Sequence, residues 1–310
     1  MKLMNPANIK PLTLPLPPAS DRTFQKPLGI KSPHYKTQSL DTSPDAEDYQ
    51  FKLWRSCPLW KKAELIANWT KGTWELALVG ISHQYPDASP GKIRREFVRR
   101  SLGIDIFLPS NKYYERRIML SDPITLALDV ANILNALDIP YLVGGSVASG
   151  IWGEVRATQD IGLVANLSIE KVSQLIQTLQ PRFYISEDAV LDAIRYKQSF
   201  NLIDNESLGK IDVFILKDEP FNQTEFQRRG PVVVRPPDQT LVLPSAEDII
   251  LQKLSWYRQG GKVSSQQWRD VLGVMKLQGE QLDFDYLNHW AQELKLADLL
   301  SQALRESGIS

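Results

Sequence analysis

The segment YLVGGSVASGIWGEVRATQDIGL, from Tyr141 to Leu163, constrains the fold more than any other part of the chain. Tyr141-Leu142-Val143 is a compact apolar run suited to a buried strand. Gly144-Gly145-Ser146 then turns the chain into a helix from Val147 to Trp152, because glycine permits positive φ and close approach of a ligand to the backbone. A helix that starts this way presents unpaired N–H groups and the positive end of a dipole, and the Ser146 hydroxyl adds a donor. These features suit phosphate, although a plain strand-to-helix turn has the same sequence. A second strand, Gln159 to Ala165, carries Asp160. Alternation places residues 160 and 162 on one face of that strand, but residue 162 is Gly.

A third piece, Lys210 to Leu216, supplies Asp212 in an otherwise apolar run. Asp212 is therefore either a residue of an alternating face or a buried acid that needs a metal, Lys or Arg beside it. Ser199 to Asp204 and Lys210 to Leu216 flank a five-residue loop, Asn205 to Gly209, in a hairpin pattern. Carboxylates two apart on a strand can share Mg²⁺, because hard cations take oxygen ligands. Asp160 is the one such carboxylate on its strand, and a lone strand aspartate also has an ordinary structural reading.

Around this core the chain divides into four parts. Residues 1–46 are rich in Pro, Ser, Thr and Lys and read as a disordered arm. Its Pro11–Pro18 run is either a partner-docking polyproline stretch or a plain linker. Residues 47–104 form a small helical segment. Trp60, Leu65, Trp69, Leu76 and Val79 recur near helical spacing from Pro58 to His83, with a break expected at Gly72. Trp54, Trp60, Trp69 and Trp74 read as core anchors. A second helix, capped by Ser89 with Pro90 at its first position, carries Lys92, Arg94, Arg95, Arg99 and Arg100. That cluster is either a phosphate-contacting face or a solvated one. Residues 121–244 hold the core, entered by a helix that starts at Asp122-Pro123 and stops at Asp138-Ile139-Pro140. The region 245–310 is helical, opened by Ser245 as N-cap with Asp248 in the reciprocal position.

Composition limits the partners. The 36 basic and 36 acidic residues balance, so no overall field favours nucleic acid or anionic membrane. Cys57 is the single cysteine, which excludes an internal disulfide, fits a reducing cytoplasm and reads as an inert buried thiol. No run approaches the roughly 20 apolar residues of a membrane helix, and prolines break the first twenty residues, so a soluble, cytoplasmic protein without a membrane partner is expected.

From about Asp122 onward the chain resembles the minimal nucleotidyltransferase superfamily, and most of all the bacterial proteins related to the AbiEii toxin group of toxin-antitoxin systems. The resemblance rests on Gly144-Gly145-Ser146, Arg156-Ala-Thr-Gln-Asp160-Ile161, Lys210-Ile-Asp212-Val-Phe, Glu247-Asp248, Lys253-Leu-Ser-Trp-Tyr-Arg258 and Gln267-Trp-Arg-Asp270-Val. It implies an α/β (α+β) fold: a mixed sheet with flanking helices and a helical C-terminal region closing over a nucleotide. It implies Mg²⁺-dependent transfer of a nucleoside monophosphate from a nucleoside triphosphate to RNA, protein or a small hydroxylated acceptor. Carried over, Gly144, Gly145 and Ser146 hold the triphosphate and Lys253 reaches it. Asp160 and Asp212 are the catalytic residues and the metal ligands of a two-Mg²⁺ site.

Gly162 departs from that pattern, because the family has its second aspartate there. Losing about 4 kcal/mol of metal-derived stabilisation slows a step about a thousandfold. Asn166, Glu187 and Asp188 are the nearby groups that would compensate. The resemblance therefore leaves two expectations: an impaired transferase, or a degenerate module that binds nucleotide, RNA or a protein partner.

Overall fold

The computed structural model describes residues 34–102 and 120–309. The described chain is a mixed α/β fold: five strands form one sheet in the order β1-β2-β5-β4-β3, flanked by helices. Strand β1 (Tyr141–Val143) is antiparallel to β2 (Asp160–Ala165), and β2 is parallel to β5 (Lys210–Ile215). Antiparallel β4 (Ser199–Asp204) and β3 (Phe183–Tyr184) complete the sheet. The β4–β5 hairpin keeps the expected five-residue loop.

Alternation sorts the two faces. Ile161, Leu163 and Ala165 of β2, Ile211, Val213 and Ile215 of β5, and Phe200 and Leu202 of β4 all point to one side and are buried. Helices α4 (Pro123–Ala136), α6 (Val172–Leu179) and α7 (Glu187–Tyr196) cover that side. The other face carries Asp160, Gly162, Lys210, Asp212 and Asn201, and it stays partly open. The start of α4 is set as its sequence implies, with the Asp122 carboxylate accepting from Thr125 N–H at 2.8 Å and proline in the first turn.

The N-terminal helices belong to the same core as the sheet. Phe51 and Trp54 of α1 (Pro44–Ser56) and Ala63, Leu65, Ile66 and Ala67 of α2 (Leu59–Gln84) join the apolar cluster built on β2 and β5. Helix α2 runs unbroken through Gly72, contrary to the expected break. A mid-helix glycine costs about 1 kcal/mol, which a 26-residue helix with a buried first half absorbs. The apolar stripe is also shifted from its expected place. Leu65 is buried, whereas Trp60, Trp69, Leu76 and Val79 are 37–73 % exposed. The face that packs runs instead through Ile66, Thr70, Trp74, Leu78 and Ile81, the last three against Phe97 and Val98 of α3 (Pro90–Leu102). Of the four tryptophans, Trp54 is the one in the core, with Trp69 meeting it edge-on at 6.3 Å.

Two elements have no counterpart in the sequence reading: α8 (Pro220–Arg228) and the hairpin of β6 (Gly230–Arg235) and β7 (Gln239–Leu243). The C-terminal region is helical as expected, with α9 (Ala246–Gln259), α10 (Ser265–Gln278), α11 (Phe284–Glu293) and α12 (Ala297–Ser307). Ile249, Ile250, Leu251 and Leu254 of α9 are fully buried, each contributing about 1.5–3 kcal/mol of apolar burial. Residues 34–43 are strapped onto this region, since Lys36 N–H donates to Glu306 O at 3.0 Å and Gln38 Nε2 to Arg269 O at 3.1 Å. A buried ion pair, Lys276 with Glu47 at 2.9 Å, ties α10 to α1. No described helix is long and apolar enough to cross a membrane. The Pro11–Pro18 run lies outside the described residues.

The basic helix α3 resolves into structural and solvated positions. Arg94 is 1 % exposed, and its guanidinium donates to the carbonyls of Asn205 and Glu206 in the β4–β5 loop. Arg99 and Arg100 pair with Glu96, and Lys92 sits over the Tyr85 ring. Ser89 caps the helix through Lys92 N–H. Removing a buried charged donor costs about 1.5–3 kcal/mol. Arg94→Ala is therefore expected to lower unfolding stability in urea by about 2 kcal/mol, whereas Arg95→Ala, on the exposed side, changes it by less than about 0.5 kcal/mol.

Candidate functional site

The site is built on α5 (Gly145–Trp152), the helix that follows β1. Gly144 N–H donates to Gly162 O at 2.9 Å, which extends the β1–β2 ladder to the foot of the helix. Gly145 then takes φ +59°, a left-handed conformation that side chains disfavour. The turn is so tight that Gly145 and Gly162 face each other. A Cβ built on either would lie 3.7–3.9 Å from the other's backbone, in ordinary contact. The N–H groups of Gly145, Ser146 and Val147 have no acceptor within the helix, and they mark its positive end. The far end of α5 is capped by a buried ammonium, Lys62 Nζ, 3.3 Å from Ile151 O and 3.4 Å from Gly153 O. Burial pushes the Lys62 pKa down to about 8.

A cluster of charges gathers beside the helix start. Arg156, in the loop before β2, makes a two-pronged bond to Asp270 of α10, Nε to Oδ1 and Nη2 to Oδ2, each at 2.9 Å. Arg156 Nη2 also donates to Ser146 Oγ at 2.8 Å. Lys253 of α9 approaches Asp270 Oδ2 at 2.8 Å, and Ser149 and Gln266 add further bonds to the same carboxylate. Two cations and one buried anion leave one positive charge in excess. Arg156 is the solvent-accessible cation, with its side chain 25 % exposed, whereas that of Lys253 is 2 % exposed. Lys253 thus lies behind the turn and holds Asp270, rather than standing at the surface where a phosphate would arrive. Burial lowers the Lys253 pKa, against the opposing pull of Asp270 and of nearby Asp160.

The strand acids lie across the turn. Asp160 is exposed at the start of β2. Asp212 pairs in register with Gly162 on β5, so the two positions stand side by side. Asp212 forms an ion pair with Lys210 at 2.7 Å, both side chains 18 % exposed. The two residues are two apart on one strand and share a face. The carboxylate reserved for metal on the sequence reading is therefore neutralised by an ammonium, and its neighbour brings no oxygen. Asn166 follows the opposite end of β2, and Glu187 and Asp188 open α7. Among the described residues no group of three or more His, Cys, Asp or Glu side chains is placed to hold a metal.

Sequence reasoning found the turn and both acids but did not assign roles to Arg156, Asp270 or Lys210. The first two were visible as parts of recurrent motifs, and the third as a cation at same-face spacing from Asp212. Behind the turn, Gln252 Oε1 lies 3.6 Å from where a Gly144 Cβ would stand and is buried without a hydrogen-bond partner. The Gln252 Nε2 donates to Glu225 at 3.3 Å. Glu225 is 2 % exposed, and burial, aided by the Asp248 charge, pushes its pKa up to about 8. Cys57 is half-buried, and burial raises its thiol above the usual value.

No family model matches the chain, and no curated protein does. Among solved structures it is similar to the crystal structure of an antigenic nucleotidyltransferase-like protein from Paracoccidioides brasiliensis, with a TM-score of 0.38 and 21 % identity, covering 59 % of this chain and 92 % of that one. A likeness so distant carries no residue role across.

Two expectations follow from the buried acids. Burial alone would raise the Asp270 pKa, but the Arg156 hydrogen bonds and the Lys253 and Arg156 charges outweigh it and hold the carboxyl below its usual value. Such a group stabilises the fold above the unfolded-chain value of about 3.9, and the contribution is lost as pH falls through the folded value. Asp270→Asn is expected to lower stability by about 3 kcal/mol near neutrality, and its urea midpoint should fall less than the natural chain's on acidification below about pH 4. Glu225 has the opposite sign. Its raised pKa makes the folded state hold a proton that the unfolded chain has lost, so stability declines as pH rises from the usual glutamate range towards about 8. Denaturation midpoints of Glu225→Gln should be flatter than the natural chain's across that window.

Proposed function

We propose that this chain is a nucleotidyltransferase-like protein that binds the phosphates of a nucleoside triphosphate at Gly144-Gly145-Ser146 and is disarmed for transfer, working as a nucleotide-binding module. The observation that carries this reading is the 2.7 Å Lys210–Asp212 ion pair standing beside Gly162. In this reading the backbone N–H groups of the first turn of α5 and the Ser146 hydroxyl receive phosphate oxygens. Arg156 supplies the accessible positive charge, and Asp270 fixes the plane of its guanidinium through the two-pronged bond. Lys253 neutralises Asp270 from behind, so that the carboxylate orients Arg156 without repelling the ligand. Asp160 and Asp212 are the residues that would hold Mg²⁺, as Lewis acid and template. With Asp212 paired to Lys210 and no oxygen at residue 162, no transfer step is assigned to them. RNA and protein remain the partner classes that a nucleotide-responsive module would regulate.

A second reading, a slow transferase, draws on one feature: Asp160 is exposed beside the turn, where it can take part in chemistry.

Binding and transfer separate these readings. Equilibrium dialysis with labelled ATP, GTP, CTP and UTP in excess chelator should show binding that Arg156→Gln weakens about tenfold or more. A parallel assay with Mg²⁺ or Mn²⁺, total RNA and total protein should show no label transfer by the natural chain. Gly162→Asp is sterically admissible, because its Cβ meets only ordinary contacts. Combined with Lys210→Ala it restores three carboxylates, and this double variant is the one expected to gain transfer. Metal-dependent transfer by the natural chain at ordinary enzyme rates, about 1 per second or faster, would overturn the disarmed reading. Failure of every triphosphate to bind would overturn the site itself.

A further inference from the structure

Helix α9 passes alongside α5 in the opposite direction. At one end Trp152 Nε1, in the last turn of α5, donates to Pro244 O just before α9 at 2.9 Å. At the other, Gln252 of α9 lies against Gly144, which precedes the first turn of α5. Continuing along α9, residue 256 stands one turn beyond Gln252, about 6 Å further along the axis. It therefore lies past the N-terminal end of α5, on the side into which a ligand held by that end would extend. Residue 256 is a tryptophan on the same face of α9 as Gln252 and Lys253, at spacings of four and three.

Trp256 also differs from five of the other seven tryptophans. Trp54, Trp74, Trp152, Trp268 and Trp290 each belong to, or pack against, an apolar cluster. Trp256 is half-buried and belongs to none of these clusters. Its recorded ring contact is the Lys253 ammonium, 5.3 Å from the ring centroid. From there the path to the phosphate turn is short: Lys253 to Asp270 at 2.8 Å, Asp270 to Arg156 at 2.9 Å and Arg156 to Ser146 at 2.8 Å. A half-buried indole that keeps part of its ring open beyond the helix start is a surface on which a base can stack, and such stacking tolerates any of the bases because each has a π-face.

We infer that Trp256 is the base subsite of the nucleotide site, stacking the nucleobase of the triphosphate whose phosphates the first turn of α5 receives. This rests on the phosphate-binding reading above. It assigns the nucleotide an orientation, with phosphates on Ser146 and Arg156 and the base towards the C-terminal end of α9. It also implies weak discrimination among bases.

The test compares ATP with inorganic tripolyphosphate by calorimetry on the full chain in chelator. The natural chain should bind ATP more tightly than tripolyphosphate. Trp256→Ala should weaken ATP about tenfold or more and leave tripolyphosphate unchanged. Trp256→Phe should keep most of the ATP affinity, because a π-face remains. Equal affinity of the natural chain for the two ligands would overturn the base subsite without any variant being needed, and would leave the phosphate site standing. Equal weakening of both ligands in Trp256→Ala would show that the ring acts only through Lys253, and would overturn it as well. If the natural chain binds neither ligand, the phosphate reading fails and the base subsite falls with it.

Discussion

The carboxylate of Asp270 is the contact on which the site depends. It is nearly inaccessible to solvent and receives Arg156, Lys253, Ser149 and Gln266 at once. A buried carboxylate is expensive to ionise unless it is paired and hydrogen-bonded, and here those requirements recruit a loop, two helices of the C-terminal region and α5, the helix that follows the Gly144-Gly145 turn. The arrangement makes the C-terminal helices part of the site rather than a separate covering. It also makes the orientation of Arg156 a consequence of folding, because the two-pronged bond fixes the guanidinium before any ligand arrives.

A second constraint acts through the sheet. The polar side of β2 and β5 is a grid in which Asp160 stands beside Lys210 and Gly162 beside Asp212. Two carboxylates and one ammonium, with the fourth position empty, leave a single negative charge. A grid of three acids would repel itself without metal. Here the Lys210 ammonium offsets one of the two carboxylates, Asp212. The Arg156–Asp270–Lys253 cluster is separate from the grid, and the Gly144 N–H bond to Gly162 O uses only backbone, so it does not depend on the side chain at 162.

The central strands, the turn and the caps were legible in the sequence because each is set by local chemistry. Three apolar residues before two glycines give β1 and the start of α5, Asp122-Pro123 starts α4, and Ser245 starts α9 with its hydroxyl accepting from Asp248 N–H. The N-terminal helices were harder, since periodicity there carries two overlapping stripes. In α2 the exposed Trp69, Leu76 and Val79 are as apolar as the buried Leu65, Ile66 and Ile81, and only packing chooses between them. The β6–β7 hairpin was hidden because Pro231 and Pro236 interrupt its pattern.

The site was legible in its parts and not in its pairings. Asp160 and Asp212 were found because acids on apolar strands are conspicuous, but whether an acid is free for metal depends on what else reaches it. Lys210 sits two residues before Asp212, and same-face spacing on a strand is visible in sequence, so this pairing was within reach. The partner of Lys253 was not, because Asp270 is 17 positions away on another helix and only the antiparallel docking of α9 and α10 brings them together. A different packing, the antiparallel passage of α9 along α5, carries Trp256 past the end of α5. A residue that reads as one more apolar position of a helix thus acquires, from the direction of that helix, a place beyond the N-terminal end of α5.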